Sequence, residues 1–393
     1  MTSKKHPLGI YIHIPFCDKK CDYCDFLSGP ANNQTKEAYS KAIIEEIKAY
    51  KDLMDDYLVK TIFIGGGTPS SIEANYIVQI LDSIINNFNL DVEEISIETN
   101  PGTLSREKLK SYKDVGINRL SIGLQSTNNQ ELKLLGRIHT YEEFLENYHL
   151  ARELGYSNIN IDLMSGLPGQ SVEAWEESLQ KVLALKPEHI SAYSLIIEEG
   201  TPFYERYGDK NASDIDEENS RGNGNIDEET DRLIYSKTKE MLELHGYNRY
   251  EISNYARQGY ECKHNKSYWE RIPYLGLGLG SSSLIDNTRY NNEENLRNYI
   301  KNSSKPSLLR KNLIILSKEE AMEEFMFLGL RLTKGISKSK FHQEFGIPIE
   351  EIFHKQINQS IKEGVLEEIA DTIRLTDYGL DVSNHVLARF LLS

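Results

Sequence analysis

Three of the chain's four cysteines, Cys17, Cys21 and Cys24, fall inside the stretch YIHIPFCDKKCDYCDF at residues 11–26. The spacing is C-x3-C-x2-C. Thiolates this close together favour zinc or an iron–sulfur cluster. A structural zinc site needs four ligands. Cys262 is far away in sequence, and His13, which could complete a Cys3His set, lies in the middle of a predicted strand. A cubane cluster on three cysteines leaves one iron open to a substrate or cofactor. Polar groups suited to a charged small ligand recur further along: Gly66, Gly67 and Thr68 in IFIGGGTPS, Glu98 in SIETNP, Gln125 in IGLQS, Arg137 in LLGRIHT and Asp162 in NIDLMSGLPGQ. The glycines allow close backbone approach. The Gly-Lys-Ser/Thr of a phosphate-binding loop is absent.

These residues need elements to hold them. From Leu8 to about Ile197, short strand-forming runs (GIYIHIPF, KTIFIGGG, EEISIETN, RLSIGLQS, NINIDLM, HISAYSLII) alternate with helical patterns such as KEAYSKAIIEEIKAYKDLM and TYEEFLENYHLARELG. Six βα repeats predict an α/β fold with parallel strands, either doubly wound or a complete or partial barrel. Cys17, the glycine triplet, Glu98, Gln125 and Asp162 all fall at or just past the C-terminal end of a predicted strand. Polar residues at successive strand ends are what a barrel-type site requires.

The 393 residues predict a main domain with smaller additions. The expected division is a core at 1–206, an acidic flexible loop at 207–232, an α/β extension at 233–316 and a winged-helix-like unit at 317–393. The net charge of −15 argues against a nucleic-acid partner. No apolar run reaches the length of a membrane span, so an integral membrane protein is not expected. The N-terminal MTSKKHPLGIYIHIPFC does not read as a signal peptide, and clustered thiols are no disulfide framework; both point to the cytoplasm.

C-x3-C-x2-C after a first strand, with Tyr23 just before the third cysteine, resembles the radical S-adenosylmethionine (SAM) superfamily. The resemblance implies a partial (β/α)6 barrel and a [4Fe-4S] cluster on Cys17, Cys21 and Cys24. The amino and carboxylate groups of SAM would chelate the open iron, and an electron from the cluster could cleave the sulfonium bond. Gly66, Gly67 and Thr68 would meet the SAM amino group. Arg137 suits the carboxylate through a bidentate fork. Glu98, Gln125 and Asp162 suit the ammonium and ribose without a one-to-one allocation, and Tyr11 and Tyr23 would line the same site.

YIHIPFC, GGGTP, GLQS, LGRIHT and NIDLMSGLPGQ together resemble the oxygen-independent coproporphyrinogen III oxidases and their relatives, from Tyr11 to beyond Trp269. The decarboxylating enzymes carry a further cysteine, C-x3-C-x2-C-x-C, and a longer N-terminal segment. Here that position is Phe26, and about ten residues precede the first strand. Both departures point to the heme chaperones (HemW-like). In CKHNKSYW, H-N-x-x-Y-W resembles a motif associated with heme binding: His264 as axial ligand, Tyr268 and Trp269 against the porphyrin, Cys262 as a second candidate ligand. Relatives read G-x-G-A-H-S where this chain has GLGSSS, placing Ser282 at the histidine. The resemblance therefore implies a protein that binds heme and delivers it to an apo-hemoprotein, such as a membrane-associated respiratory enzyme. The alternative is oxidative decarboxylation of coproporphyrinogen III.

Overall fold

The computed structural model describes residues 5–208 and 227–392. Six strands run parallel and lie side by side in chain order: β1 (His6–Ile14), β2 (Tyr57–Gly66), β3 (Leu90–Thr99), β4 (Arg119–Gln125), β5 (Ile159–Ser165) and β6 (His189–Ser194). A helix follows each of the first five, beginning with Asn33–Tyr50 and Ala74–Asn87. The sheet is singly wound, the partial (β/α)6 barrel expected from the sequence.

Along the strands apolar and polar residues alternate, which in a pleated strand sends them to opposite faces. Leu8, Ile10, Ile12 and Ile14 on β1 join Ile62 and Ile64, Ile95 and Ile97, Leu120 and Ile122, and Ile159 and Ile161 in one core under the helices. Each such side chain contributes roughly 1.5–3 kcal/mol on burial. The other face carries Tyr11, His13, Thr61, Phe63, Glu94, Ser96, Glu98, Arg119, Ser121, Asn160, Asp162 and His189. This concave face is polar and hydrogen-bonded, and it supplies the site.

The extension divides between both edges of the sheet. Beyond β6, β8 (Asn254–Ala256) pairs antiparallel with it, and β7 (Asn248–Arg249) pairs antiparallel with β8. β9 (Tyr274–Leu277) pairs parallel with β1. β10 (Ser282–Ile285), β11 (Thr288–Asn291) and β12 (Lys311–Ile315) follow antiparallel, giving twelve strands in all. Buried Glu46 ties this edge to the first helix. It accepts from the Gly278 N–H at 2.9 Å, Asn292 Nδ2 at 2.6 Å and Tyr299 OH at 2.6 Å.

Beyond it, the helix Lys318–Gly329 and the helices Lys338–Phe345 and Ile349–Lys362 pack on a small antiparallel sheet of order β13 (Ile336–Ser337), β15 (Thr372–Leu375), β14 (Leu366–Ile369), around a separate core with Phe341, Phe353 and Phe390.

Most of the acidic stretch expected as a loop, 209–226, lies outside the described residues. Its last part is helical: Glu228–Leu244 starts four residues before the RLIYSK pattern. Asp227 caps it by accepting from the Thr230 N–H, and Glu228, Glu229 and Asp231 sit in the first turn. Carboxylates there complement the helix dipole, so acidic composition here marks a helix start.

Candidate functional site

The cysteine loop leaves the end of β1 and is pinched at its base, where the Cys17 N–H donates to Gly29 O at 3.1 Å and the Gly29 N–H to Pro15 O at 2.9 Å. It docks on its neighbours through the Asp22 N–H to Leu135 O, and through Asp22 with Arg206. Cys17, Cys21 and Cys24 all face one cavity of about 520 Å³ at the C-terminal ends of the strands. Burial pushes the Cys24 thiol above its usual range. Among the described residues no three Cys, His, Asp or Glu side chains stand close enough together to hold one metal ion. His13 is engaged elsewhere: its ring nitrogens lie 3.0 Å from Tyr11 OH and 3.0 Å from Leu27 O.

The same cavity collects Tyr23, Gly66, Gly67, Thr68, Glu98, Gln125, Arg137 and Asp162. Gly66 adopts φ +114°, and a Cβ there would lie 2.5 Å from the His13 ring. Only glycine fits, and its N–H donates to Glu98 Oε2 at 3.0 Å. Burial first, then the neighbouring Asp162 charge, raises the Glu98 carboxyl to about 7. Burial also raises Asp162, although Asn160 Nδ2 at 2.7 Å and Ser121 Oγ at 3.0 Å donate to it. Gln125 holds φ +73° at a register shift between β4 and β5, and its Oε1 accepts from Tyr193 OH at 2.8 Å. A non-glycine residue there stores on the order of 1–2 kcal/mol of strain.

A chain of hydrogen bonds runs from Tyr23 to the Cys17 thiol. Arg137 Nη2 donates to Tyr23 OH at 2.8 Å and Nη1 to Asn100 Oδ1 at 2.9 Å. Asn100 Nδ2 donates to Thr68 Oγ1 at 2.8 Å, and Thr68 Oγ1 to Cys17 Sγ at 3.5 Å. Arg137 Nε is shielded from solvent and has no partner.

A second cavity, about 470 Å³ and mainly apolar, lies beside the first. Tyr11, His13, Phe26, Leu27, Tyr268 and Trp269 are among its walls, with Ser282 and Arg289 from β10 and β11. Phe26 lines both cavities. Tyr11 lines the apolar cavity, while the Glu98 charge from the polar cavity adds to burial in raising its hydroxyl. Strand spacing put it on the concave face, but it sits two residues below His13 and stacks on Phe63.

Comparison with known proteins decides the family. The radical SAM superfamily model matches residues 11–182, and the HemN C-terminal domain model matches 316–382. "Heme chaperone HemW" of Lactococcus lactis is 36% identical over 388 residues, covering 98% of each chain. Its counterpart in Bacillus subtilis is 35% identical, covering 97% of this chain and 98% of the relative. The chain belongs to the HemW family of radical SAM proteins. Its fold matches the solved structure of coproporphyrinogen III oxidase (HemN) from Escherichia coli, with a TM-score of 0.83 at 23% identity over 99% of this chain and 91% of that one.

The family implies a [4Fe-4S] cluster and SAM, and the 520 Å³ cavity suits both. The orphaned Arg137 Nε calls for an anionic partner. At Gly67 a Cβ would lie 3.0 Å from Cys17 Sγ and 2.8 Å from Phe16 O, so backbone meets the Cys17 thiol closely.

In this HemW-family chain the H-N-x-x-Y-W segment forms a helix, Lys263–Trp269. Its start is capped from another element: Glu94 on β3 accepts from the Lys263 N–H at 2.9 Å and the His264 N–H at 3.2 Å. The expected ligands are engaged. His264 is fully buried, its ring nitrogens 2.9 Å from Thr61 Oγ1 and 2.8 Å from Tyr268 OH, and burial with the Arg119 charge lowers it to about 3. The Cys262 thiol donates to Glu94 at 3.4 Å and burial raises it to about 12. Neither lines the apolar cavity, whereas Tyr268 and Trp269 do. As placed, His264 orients Tyr268, and its ring offers no free nitrogen to iron. Asn100, Thr61 and Glu94 escaped the sequence reading. Their signal was the period-2 alternation in TIFIGG and EEISIETN, which marks every polar residue of the concave face.

Proposed function

We propose that this chain is a heme chaperone that binds heme in the apolar cavity and passes it to an apo-hemoprotein, beside a [4Fe-4S] cluster and SAM in the polar cavity. The observation that carries this reading is an apolar cavity of about 470 Å³ opening next to the cysteine loop and sharing Phe26 with it. That volume is in the range of small-ligand pockets. Tyr268 and Trp269 offer aromatic faces to a porphyrin. His264 holds Tyr268 in place and becomes an axial ligand only by giving up that bond.

In the polar cavity Cys17, Cys21 and Cys24 would hold the cluster. When bound, the cluster supplies an electron for cleavage of the SAM sulfonium bond. This chain's residues bind and orient. Arg137, with Nε free, would take the SAM carboxylate. Glu98 and the backbone at Gly66, Gly67 and Thr68 would take the ammonium. Gln125 and Asp162 are left for the ribose, and Tyr23 fixes Arg137. Burial makes Glu98 a carboxylate that ionises most readily when a cation arrives.

Among the described residues no helix is long and apolar enough to cross a membrane. We place the protein in the cytoplasm, with a membrane-associated respiratory hemoprotein as one class of acceptor. The test is anaerobic reconstitution followed by hemin addition and gel filtration. Stoichiometric hemin should stay with the protein, and coproporphyrinogen III should remain unconverted in the same sample. Hemin lost on the column, or protoporphyrinogen formed, overturns the reading.

A further inference from the structure

The apolar cavity ends in two arginines. Arg271, just past the helix Lys263–Trp269, and Arg289 on β11 both line it. They share one carboxylate: Arg271 Nε donates to Glu324 Oε2 at 3.0 Å and Arg289 Nη2 to Glu324 Oε1 at 2.7 Å. Glu324 belongs to the helix Lys318–Gly329, and Leu328, one turn on, is part of the cavity wall. The residues of an i, i+4 pair share a helix face. That helix is therefore a wall of the cavity, and Glu324 is its contact with the cavity's basic end.

Two features mark this end as built for a ligand. Arg271 has φ +55°, and it follows the helix cap where its N–H donates to Tyr268 O and the Ile272 N–H to Ser267 O. Glycine takes this helix-ending position with less strain, so the side chain is what arginine adds there. Next to it, Trp269 Nε1 is shielded from solvent and has no partner. The remaining polar contacts are Arg271 Nη1 with Glu344 at 3.1 Å, Arg271 with Asn287, and Arg289 Nη1 with Tyr274 OH at 3.1 Å.

We propose that Arg271 and Arg289 bind the propionate carboxylates of heme, and that Glu324 occupies their place in the heme-free protein. The proposal rests on the heme reading above and gives it an orientation. The macrocycle lies against Tyr268 and Trp269, and the carboxylates point to the C-terminal unit. A planar guanidinium takes a propionate in the same fork geometry as a glutamate. Entry of heme exchanges one carboxylate for another, so neither arginine is left buried and unpaired. Glu324 is then released, and the helix Lys318–Gly329 loses one of its ties to the cavity.

The experiment measures the affinity of the full-length protein for hemin and for hemin dimethyl ester, which has the same ring and no free carboxylate. Arg289→Met and Arg271→Met should weaken hemin at least 10-fold and leave the ester within 2-fold. Glu324→Gln should tighten hemin about 5-fold or more, because it removes a competitor, and should leave the ester unchanged. Arg289 is the more exposed arginine and Glu324→Gln keeps the side-chain shape, so these two variants carry the test if Arg271→Met fails to fold. Unchanged hemin affinity in both, or equal changes for hemin and ester, overturns the proposal while the heme reading stands. If the parent protein binds neither compound, the heme reading itself falls.

Discussion

The two cavities share a wall, yet they are made differently. The polar one is assembled from the ends of consecutive parallel strands, so its residues appear in the chain in the order in which they stand around it. The apolar one is assembled from β1, the end of the cysteine loop, a seven-residue helix, two antiparallel strands and the C-terminal unit. The first depends on the parallel strands β1 to β6 lying side by side in chain order. The second depends on the extension being fastened to the scaffold, through Glu46 on one side and Glu94 on the other.

This contrast can be broken most decisively at the thiols. Cys17→Ala should abolish cluster loading, read as iron and sulfide content and the visible absorption of the cluster, while hemin is retained. Simultaneous loss of both would show that the cavities do not act as separate structures. Glu94→Ala is the next largest effect. It strips the cap from the helix Lys263–Trp269 and leaves buried donors without an acceptor. We expect about 3–5 kcal/mol of destabilisation in denaturant unfolding. Where the protein still folds, hemin binding should suffer more than SAM binding.

Protonation separates the cavities more gently. The Glu98 carboxyl is raised to about 7, mainly by burial. Its protonated form is therefore favoured in the folded protein. That contribution to stability is complete below the ordinary carboxylate range and is lost as the pH rises through about 7. A bound ammonium needs the ionised form, so SAM affinity should rise on the order of 10-fold between about pH 6 and pH 8, with release of a proton. Calorimetry in buffers of different ionisation enthalpy reads the proton directly, and Glu98→Gln should flatten the profile. Hemin affinity should not follow this curve. The smallest effect is expected at Phe26, whose side chain is 62% exposed. Phe26→Ala should weaken hemin about 2- to 5-fold, since only part of its surface is there to be covered.

The same contrast explains how far the sequence could be read. Cys17, Gly66, Glu98, Gln125 and Asp162 come together because each stands at or near the end of its strand, so strand order brings them to one cavity, whereas Arg137 reaches it from beyond a further helix. Tyr11 was expected at the SAM site, and the structure lines the neighbouring apolar cavity with it, because alternation reveals the face of a strand and not the layer. No local N-cap signal marks the helix Lys263–Trp269, because its cap, Glu94, comes from a strand 169 residues earlier. His264 was expected as an axial heme ligand through the resemblance of its motif, and in the structure Thr61 and Tyr268 occupy its ring nitrogens. Arg271 and Glu324 meet across 53 residues and two cores, a pairing that no spacing rule encodes.

Phe26 began as the residue standing where a further cysteine would be. In the structure it lines both cavities. A shared wall imposes thermodynamic reciprocity on the two ligands. Whatever factor bound heme exerts on the affinity for SAM through the position of this ring, SAM must exert on heme. A single aromatic side chain can thus let each ligand report the presence of the other, with no domain movement and no covalent step.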